Sequence, residues 1–372
     1  MRAFVFTDKA LERYAGQFVW LAIDSENSAN ASFLTKYPIS VWPTLMIIDS
    51  KKESVALRYA GGASVPQLTK LLGDGEKVVR GTKSKADEAL ARGDRLTSEK
   101  NLAEAAAAYD EAIKEAPKNW SRLGRAAESL TFVLYDSRDY ERCAARALDL
   151  YPRVKGTYAA FNVASGGLGC ASEKPDNRPT LDALEKAARE TLDDPKIPLA
   201  GDDRSSLYET LIGAREALKD EEGAHRLREE WATFLEGEAK KAKTAEQRAV
   251  YDSHRLTVYL ALKQPERAIP MLEQSERDFP DDYNPPARLG LAYRTMGKND
   301  DALAAYDRAL AKAYGPRKIG ILRGKADTYA AKGDKESARR TIEEAIRYAE
   351  SLPVGQRSET TIASLKKKLE AL

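Results

Sequence analysis

Residues 283–316 have the sequence YNPPARLGLAYRTMGKNDDALAAYDRALAKAYGP, and this stretch decides the fold of most of the chain. Its small residues Gly290, Ala302 and Ala309 recur among large ones at helical spacing, with Tyr306 between them. Small side chains allow two antiparallel helices to approach closely, and a tyrosine fills the space towards the next pair. The stretch therefore predicts a pair of antiparallel helices that repeats along the chain.

The same pattern occurs in three further stretches. Residues 249–282 place Tyr259, Ala268 and Leu272 exactly one 34-residue unit before Tyr293, Ala302 and Tyr306. The other two stretches are residues 86–119 and a unit after Pro316 with a slightly longer loop. Because four matches are far more specific than one, a repeat array is the expected fold, and an unrelated helical bundle is the alternative.

This pattern resembles the tetratricopeptide repeat over residues 86–350, with irregular helical pairs expected in 120–248 and a C-terminal helix in 351–372. The resemblance implies an all-α helical solenoid whose first helices line a concave groove for a peptide or partner protein. Some members grip a C-terminal carboxylate with Lys and Asn at set positions of the first helix. Those positions carry other residues here, so the clamp is not expected: Asn284, Ala287, Leu291, Ser253 and Thr257.

Four cationic or titratable side chains are predicted to face this groove: His254, Arg288, Arg294 and Arg323. The arginines would favour an acidic or C-terminal ligand. The alternative is that all four are solvated charges on a helix face.

The first 80 residues have a different character, with short runs of β-branched and aromatic residues. The runs 18–23, 44–48 and 54–59 predict strands, whereas 8–14, 29–37 and 65–72 predict helices. This order favours a mixed sheet covered by helices. Composition places the domain boundary in 73–85, and long loops are expected in 165–179 and 193–205.

Residues 1–80 also resemble the thioredoxin superfamily, most specifically at Trp42-Pro43-Thr44, which opens an apolar strand. The resemblance implies an α/β thioredoxin-like domain in which Pro43 is cis and the adjacent backbone binds an extended substrate. An ordinary trans proline at the start of a strand is the alternative. The domain would be incomplete, because a central strand and a Cys-x-x-Cys motif are missing. The family's spacing puts both at or before Met1, so either the gene starts upstream or Arg2–Phe6 forms a makeshift strand.

The two cysteines do not replace that motif. Cys143 lies on an apolar helix face and is expected to be a small core residue, whereas Cys170 lies in a predicted loop as a candidate exposed thiol. The two residues are expected on different elements, too far apart for paired redox chemistry. No catalytic residue is therefore predicted, and the chain as given is expected to be redox-inactive.

Composition narrows the ligand classes. The 372 residues contain 60 Lys+Arg and 58 Asp+Glu, a net charge of +2 that argues against nucleic acid as the main partner. No apolar run is long enough to span a bilayer. His225 and His254 have no second ligand at metal spacing, so neither a metal nor a cofactor is predicted.

Three functions are compatible with these patterns. The preferred one is a thioredoxin-like and tetratricopeptide protein that binds protein clients or partners. The alternatives are a thiol-disulfide oxidoreductase whose Cys-x-x-Cys lies upstream of Met1, and a pure interaction scaffold. The compartment depends on the true start: cytoplasmic if Met1 is that start, and periplasmic or exported if a signal precedes it.

Overall fold

The structure is a computed structural model that describes residues 5–81 and 84–372. It is mostly helical and divides into two compact units. Unit 1 combines the residues up to Phe18 with Ile39–Trp231, and unit 2 combines Val19–Pro38 with Ala232–Leu372. The domain boundaries predicted from composition stay a prediction.

The α-helices of the described residues are, in chain order, α1 (Ala31–Lys36), α2 (Val65–Arg80), α3 (Lys85–Ser98), α4 (Leu102–Lys114), α5 (Leu123–Asp136), α6 (Tyr140–Val154), α7 (Ala159–Ser172), α8 (Arg178–Asp193), α9 (Gly201–Ala217), α10 (Glu221–Lys241), α11 (Ala245–Ala249), α12 (Asp252–Ala261), α13 (Ile269–Asp278), α14 (Asn284–Thr295), α15 (Asn299–Leu310), α16 (Arg317–Ala331), α17 (Lys335–Ser351) and α18 (Glu359–Glu370). Short 3-10 helices cover Lys9–Tyr14, Ser28–Asn30 and Pro265–Ala268.

Unit 1 begins with a β-hairpin. Strand β1 (Thr44–Asp49) pairs antiparallel with β2 (Ser54–Ala60), with a register shift after Ile47. Leu57 of β2 is fully buried and packs in the small core that α2 shares with the hairpin. The two predicted strands of this region are confirmed, but the described residues form a two-stranded sheet and not a mixed sheet of three or more strands.

The predicted strand in 18–23 is wrong. These residues form no regular element, and the side chains of Val19 and Leu21 are 88% and 71% exposed. Propensity alone does not form a strand, since its backbone groups need a partner strand. The suggested makeshift strand Arg2–Phe6 falls largely on residues outside the described part of the chain, while Val5 and Phe6 lie in a turn.

Helix α2 is twice as long as the sequence pattern predicts. It begins at a capping box in which Ser64 Oγ accepts from the Gln67 backbone N–H and Gln67 Oε1 accepts from the Ser64 N–H. The helix continues through most of the predicted boundary region and ends before Gly81, whose φ is +102°. Glycine adopts this left-handed backbone without a Cβ penalty, so Gly81 marks the end of the helix.

The helical pairs pack as their sequences predict. A Cβ on Gly93 of α3 would lie 2.5 Å from the Tyr109 ring of α4, and one on Gly290 of α14 would lie 2.6 Å from the Tyr306 ring of α15. In both pairs the glycine and the tyrosine are 16 residues apart. The missing side chain thus allows the ring to lie against the helix backbone, which fixes the spacing of each pair.

Residues 120–248 contain helices α5 to α10, and the irregularity of their pairs stays a prediction, whereas the two predicted long loops are shorter than expected. In particular, α7 runs through most of the predicted loop 165–179, and α9 begins within the predicted loop 193–205. The glycines of α7 misled the prediction, because they serve helix contact: a Cβ on Gly167 would lie 2.3 Å from the Ala147 Cβ of α6.

Helices α6 and α7 are joined by a disulfide bond between Cys143 and Cys170, whose Cα atoms are 6.0 Å apart. Both residues are fully buried. The expectation that Cys143 is a core residue is confirmed, whereas the exposed loop position and the separation expected of Cys170 are wrong. Antiparallel packing of two successive helices brings the residues together across 27 positions of sequence.

No helix of the described residues is long and apolar enough to cross a membrane.

Candidate ligand-binding site

A pocket of about 320 Å³, lined by both polar and apolar groups, lies in unit 1, where the first helices of successive pairs line up beside β2. Helices α5, α7 and α9 pack side by side, and β2 packs against α3. Residues from all of these elements line the pocket. They include Arg58, Tyr59, Glu128, Ser129, Phe132, Tyr135, Asn162, Ser165, Gly166, Gly169 and Thr210. Its volume is at the lower end of the range for ligand sites.

Strand β2 forms one wall of the pocket through Tyr59. This side chain is 3% exposed, and its hydroxyl oxygen accepts hydrogen bonds from Asn162 Nδ2 and Gln67 Nε2, both at 3.2 Å. The two bonds connect the hairpin to α7 and α2. The position of Asn162 in the pocket is therefore set by residues far away in sequence.

Glu128 of α5 supplies a buried carboxyl group. Burial raises the pKa of Glu128 to about 7, although hydrogen bonds from the Asn162 and Tyr59 side chains favour the ionised form. Desolvation exceeds these bonds because the side chain is almost completely removed from water. Near neutral pH the pocket therefore contains both an acceptor and, in the protonated state, a donor.

A buried ionic network supports the wall next to Arg58. The Asp94 carboxylate forms an ion pair with Arg125 and accepts a hydrogen bond from the Tyr109 hydroxyl at 2.9 Å. Asp94 is fully buried, so the network must stay complete to avoid an uncompensated charge. Burial lowers the pKa of Arg58, whose charge is favoured by Asp94 and Tyr109.

The opposite side of the pocket is formed by hydroxyl groups and bare backbone. Ser165 Oγ and Thr210 Oγ1 are 2.9 Å apart, and because Thr210 also donates to the Ser206 carbonyl, Ser165 is the donor of this pair. Gly166 and Gly169 lie one helical turn apart on α7 and expose its backbone to the pocket. Amides, hydroxyls and an open helix surface suit hydrogen bonds to a peptide.

Within 5–81 and 84–372, no group of three His, Cys, Asp or Glu side chains could hold a metal ion. The cysteines of the chain are both in the buried disulfide.

The predicted thioredoxin-like site lies on the hairpin. The Trp42-Pro43 peptide bond is cis, Trp42 is 59% exposed, and Thr44 begins β1. The Pro43 carbonyl accepts a hydrogen bond from the Gly61 N–H at 2.8 Å, which closes the end of the hairpin. A substrate-binding role for these three residues stays a prediction.

The predicted groove residues lie in unit 2 and have different surroundings. Arg294 of α14 forms a 2.8 Å ion pair with Asp327 of α16, and Arg288 is close to Asp252. Arg323 is exposed on α16, and His254 is half-buried on α12. Arg294 is therefore paired with a carboxylate of the chain itself, and a role of the four residues in binding stays a prediction.

Sequence patterns did not indicate the unit 1 pocket. Its polar residues come from β2, α5, α7 and α9, and no short motif contains them. One usable signal was present: Asn162, Ser165, Gly166 and Gly169 form a polar and glycine-rich face on an otherwise apolar helix. The sequence suggested a loop there, so this face was missed.

Comparison with protein families identifies the repeats. The family model of the tetratricopeptide repeat matches residues 283–351, which cover α14, α15, α16 and α17 completely. Residues 283–351 are tetratricopeptide repeats. Proteins with these repeats generally mediate protein–protein interactions. No curated protein matches the chain.

One solved structure supports a tetratricopeptide-like fold beyond the matched residues. A tetratricopeptide repeat protein from Parabacteroides merdae superposes with a TM-score of 0.50 at 11% identity, over 77% of this chain and 99% of the other. BtubC from P. vanneervenii gives a TM-score of 0.42 at 17% identity, over 57% and 91%. A Rap protein in complex with competence and sporulation factor gives 0.42 at 14% identity, over 82% and 80%. These comparisons identify no thioredoxin-like domain.

Proposed function

We propose that the chain is a non-enzymatic binding protein that takes an extended peptide segment of a partner into the unit 1 pocket. The observation that carries the proposal is the convergence of polar side chains from α5, α7 and α9 on one cavity beside β2. A solenoid of tetratricopeptide type exposes its first helices for this purpose.

The peptide backbone would bind first to Asn162. A side-chain amide both donates and accepts, so it can pair with a peptide group in the way another strand would. Because Tyr59 already accepts from Asn162 Nδ2, the amide orientation is fixed before a ligand arrives. Preorganisation of this kind reduces the entropy lost on binding.

A ligand side chain would then enter between Gly169 and Glu128. The absence of a side chain at Gly169 leaves the surface of α7 open beside the half-exposed Tyr135 ring. Affinity of about micromolar strength is expected for a site of this size.

Selection of peptides from a displayed library of random 12-residue sequences on the full chain would test this proposal. Ser165→Phe fills the pocket and should abolish binding in calorimetry, and Asn162→Ala should weaken it about tenfold through the lost hydrogen bonds. Ala107→Phe is the matched control, because Ala107 is exposed on α4. Selected peptides that bind all three variants equally would refute the proposal, provided that each variant keeps its unfolding transition.

The cis-proline surface is a second candidate. It is favoured by the exposed Trp42 ring next to the cis Trp42-Pro43 bond. It would bind the same class of ligand, an extended peptide, but on the hairpin. An oxidoreductase would need a cysteine pair outside this sequence, since Cys143 and Cys170 are bonded to each other and buried.

A further inference from the structure

The segment Val19–Pro38 belongs to unit 2, where residues 24–26 contact the helical repeats through polar groups and α1 packs through buried residues. Asp24, Ser25 and Glu26 lie against the loops that precede α14, α16 and α18, three successive positions of the array. The contacts join residues more than 250 positions apart in sequence. They resemble the way in which a receptor holds a short ligand more than the packing of a core.

Two tyrosines hold the acidic side chains. The Tyr314 hydroxyl donates to Asp24 Oδ2 at 2.8 Å, and the Tyr283 hydroxyl donates to Glu26 Oε2 at 2.6 Å. The two rings meet edge to face with their centroids 6.2 Å apart. Arg317 Nε lies 3.3 Å from the other oxygen of Glu26. This set of donors is selective for carboxylates.

The backbone of the segment is recognised as well. Gln356 Nε2 donates to the Ser25 carbonyl at 2.9 Å. Gln356 is 7% exposed, and its Oε1 atom has no hydrogen-bond donor among the described residues, so it could accept one more N–H from a bound chain. Gly315 has a φ of +60°, and a Cβ there would lie 2.3 Å from the Glu26 carbonyl oxygen. The backbone of the segment therefore lies directly on that of the loop.

The part of the segment before α1 contains no buried side chain. Upstream of Asp24 it is irregular and exposed, as at Val19 and Leu21. Downstream the segment contains a 3-10 turn and the six-residue helix α1. Ala31 and Leu34 of α1 are buried, and Thr35 Oγ1 donates to the Val354 carbonyl at 3.3 Å, so α1 stays packed while the part before it can detach locally.

We propose that the loops before α14, α16 and α18 form a binding site for an acidic segment of a partner protein, and that residues 24–26 compete for this site within the chain. The site is in unit 2 and is independent of the unit 1 pocket. The recognised ligand contains two acidic residues separated by one other residue on an exposed backbone, as in Asp-Ser-Glu.

The probe is a fluorescent synthetic peptide with the sequence of residues 22–30, AIDSENSAN, whose binding to the full chain is measured by polarisation. Asp24→Ala/Glu26→Ala should release the competing segment and increase the affinity for the peptide about tenfold, to a Kd below about 1 mM. Tyr283→Phe/Tyr314→Phe, added to that variant, should reverse the gain. Asp300→Ala/Glu336→Ala, two exposed carboxylates elsewhere in unit 2, is the matched control and should bind like the wild type.

A peptide AINSQNSAN, without the carboxylates, should not bind. The proposal is overturned if Asp24→Ala/Glu26→Ala binds AIDSENSAN no more tightly than the wild type, or if the two tyrosines make no difference. The isosteric pair Asp24→Asn/Glu26→Gln repeats the test in case the alanine variant unfolds.

Discussion

The Tyr59 hydroxyl accepts a hydrogen bond from Asn162 Nδ2 over 3.2 Å, and this bond joins the β-hairpin to the face of α7 that lines the pocket. The hairpin is therefore part of the site and not a separate appendage of the helical pairs. Strand β2 closes one side of the pocket, while α5, α7 and α9 supply the polar groups.

Loss of this hydrogen bond should be measurable. Tyr59→Phe leaves Asn162 and Gln67 without their common acceptor in a buried environment. We expect the free energy of unfolding to fall by about 1–3 kcal/mol, measured by urea denaturation. Tyr314→Phe, at a hydroxyl on an exposed ring, should cost much less. Equal losses for the two variants would contradict the assignment of Tyr59 to a buried wall.

Glu128 should make the stability of unit 1 depend on pH. The carboxyl group has an ordinary pKa near 4.5 in the unfolded chain and about 7 in the folded chain. The contribution of Glu128 to the free energy of unfolding is fully present below about pH 4.5. It is lost as the pH rises through about 7, because the carboxyl group ionises at lower pH in the unfolded chain than in the folded chain. The loss is roughly 3 kcal/mol at most.

Urea denaturation from pH 4.5 to 8 tests this expectation. Glu128→Gln should remove this part of the pH dependence, and its advantage over the wild type should grow with pH. Glu141→Gln, at an exposed glutamate of α6, should leave the wild-type profile unchanged. A constant difference between Glu128→Gln and the wild type across the range would show that the carboxyl group is not perturbed.

The contact between Gly290 and Tyr306 predicts that even a single added methyl group at this glycine lowers the free energy of unfolding. Gly290→Ala places a Cβ 2.6 Å from the Tyr306 ring, so the helices must separate, at a cost of about 1–3 kcal/mol. Gly320→Ala in α16 meets nothing within 4 Å and should stabilise the helix by about 0.5–1 kcal/mol. Thermal unfolding of the two variants should thus shift in opposite directions.

The disulfide should stabilise unit 1 without supporting redox turnover. The bond closes a loop over 27 positions of sequence and so reduces the entropy of the unfolded chain. This stabilises the folded state by roughly 3–4 kcal/mol. Cys143→Ser/Cys170→Ser should lower the free energy of unfolding by about this amount and make it insensitive to reductant. Because both sulfurs are buried, neither form should reduce insulin. Turnover that disappears in the double variant would contradict this expectation.

The fold was predictable where its determinants are local. The spacing of Gly290 and Tyr306 repeats within one helical pair, so it can be read from the sequence without knowledge of any distant residue. The run 18–23 shows the opposite case, since a strand also needs a partner, which propensity cannot supply. Cys143 and Cys170 pair only because α6 and α7 are antiparallel, a fact that their spacing does not contain.

The site was much less predictable. Asn162 and Glu128 look like ordinary polar helix residues in sequence, and their surroundings depend on how β2 packs beside the repeats. Among the arginines singled out by charge, Arg294 forms an ion pair with Asp327 of the same chain. Charge alone does not show whether an arginine is available to a ligand, because carboxylates of the same chain can be within reach, and the predicted groove stays untested.

The most direct test of the central claim is photo-crosslinking of a selected peptide to the full chain. A photoreactive phenylalanine derivative replaces Tyr135 at the pocket in one variant and Trp42 on the hairpin in another, both of which are exposed aromatic positions. If the peptide binds in the pocket, it should crosslink at position 135 and much less at position 42, and Ser165→Phe should abolish the crosslink. Crosslinking at position 42 with none at position 135 would contradict the account.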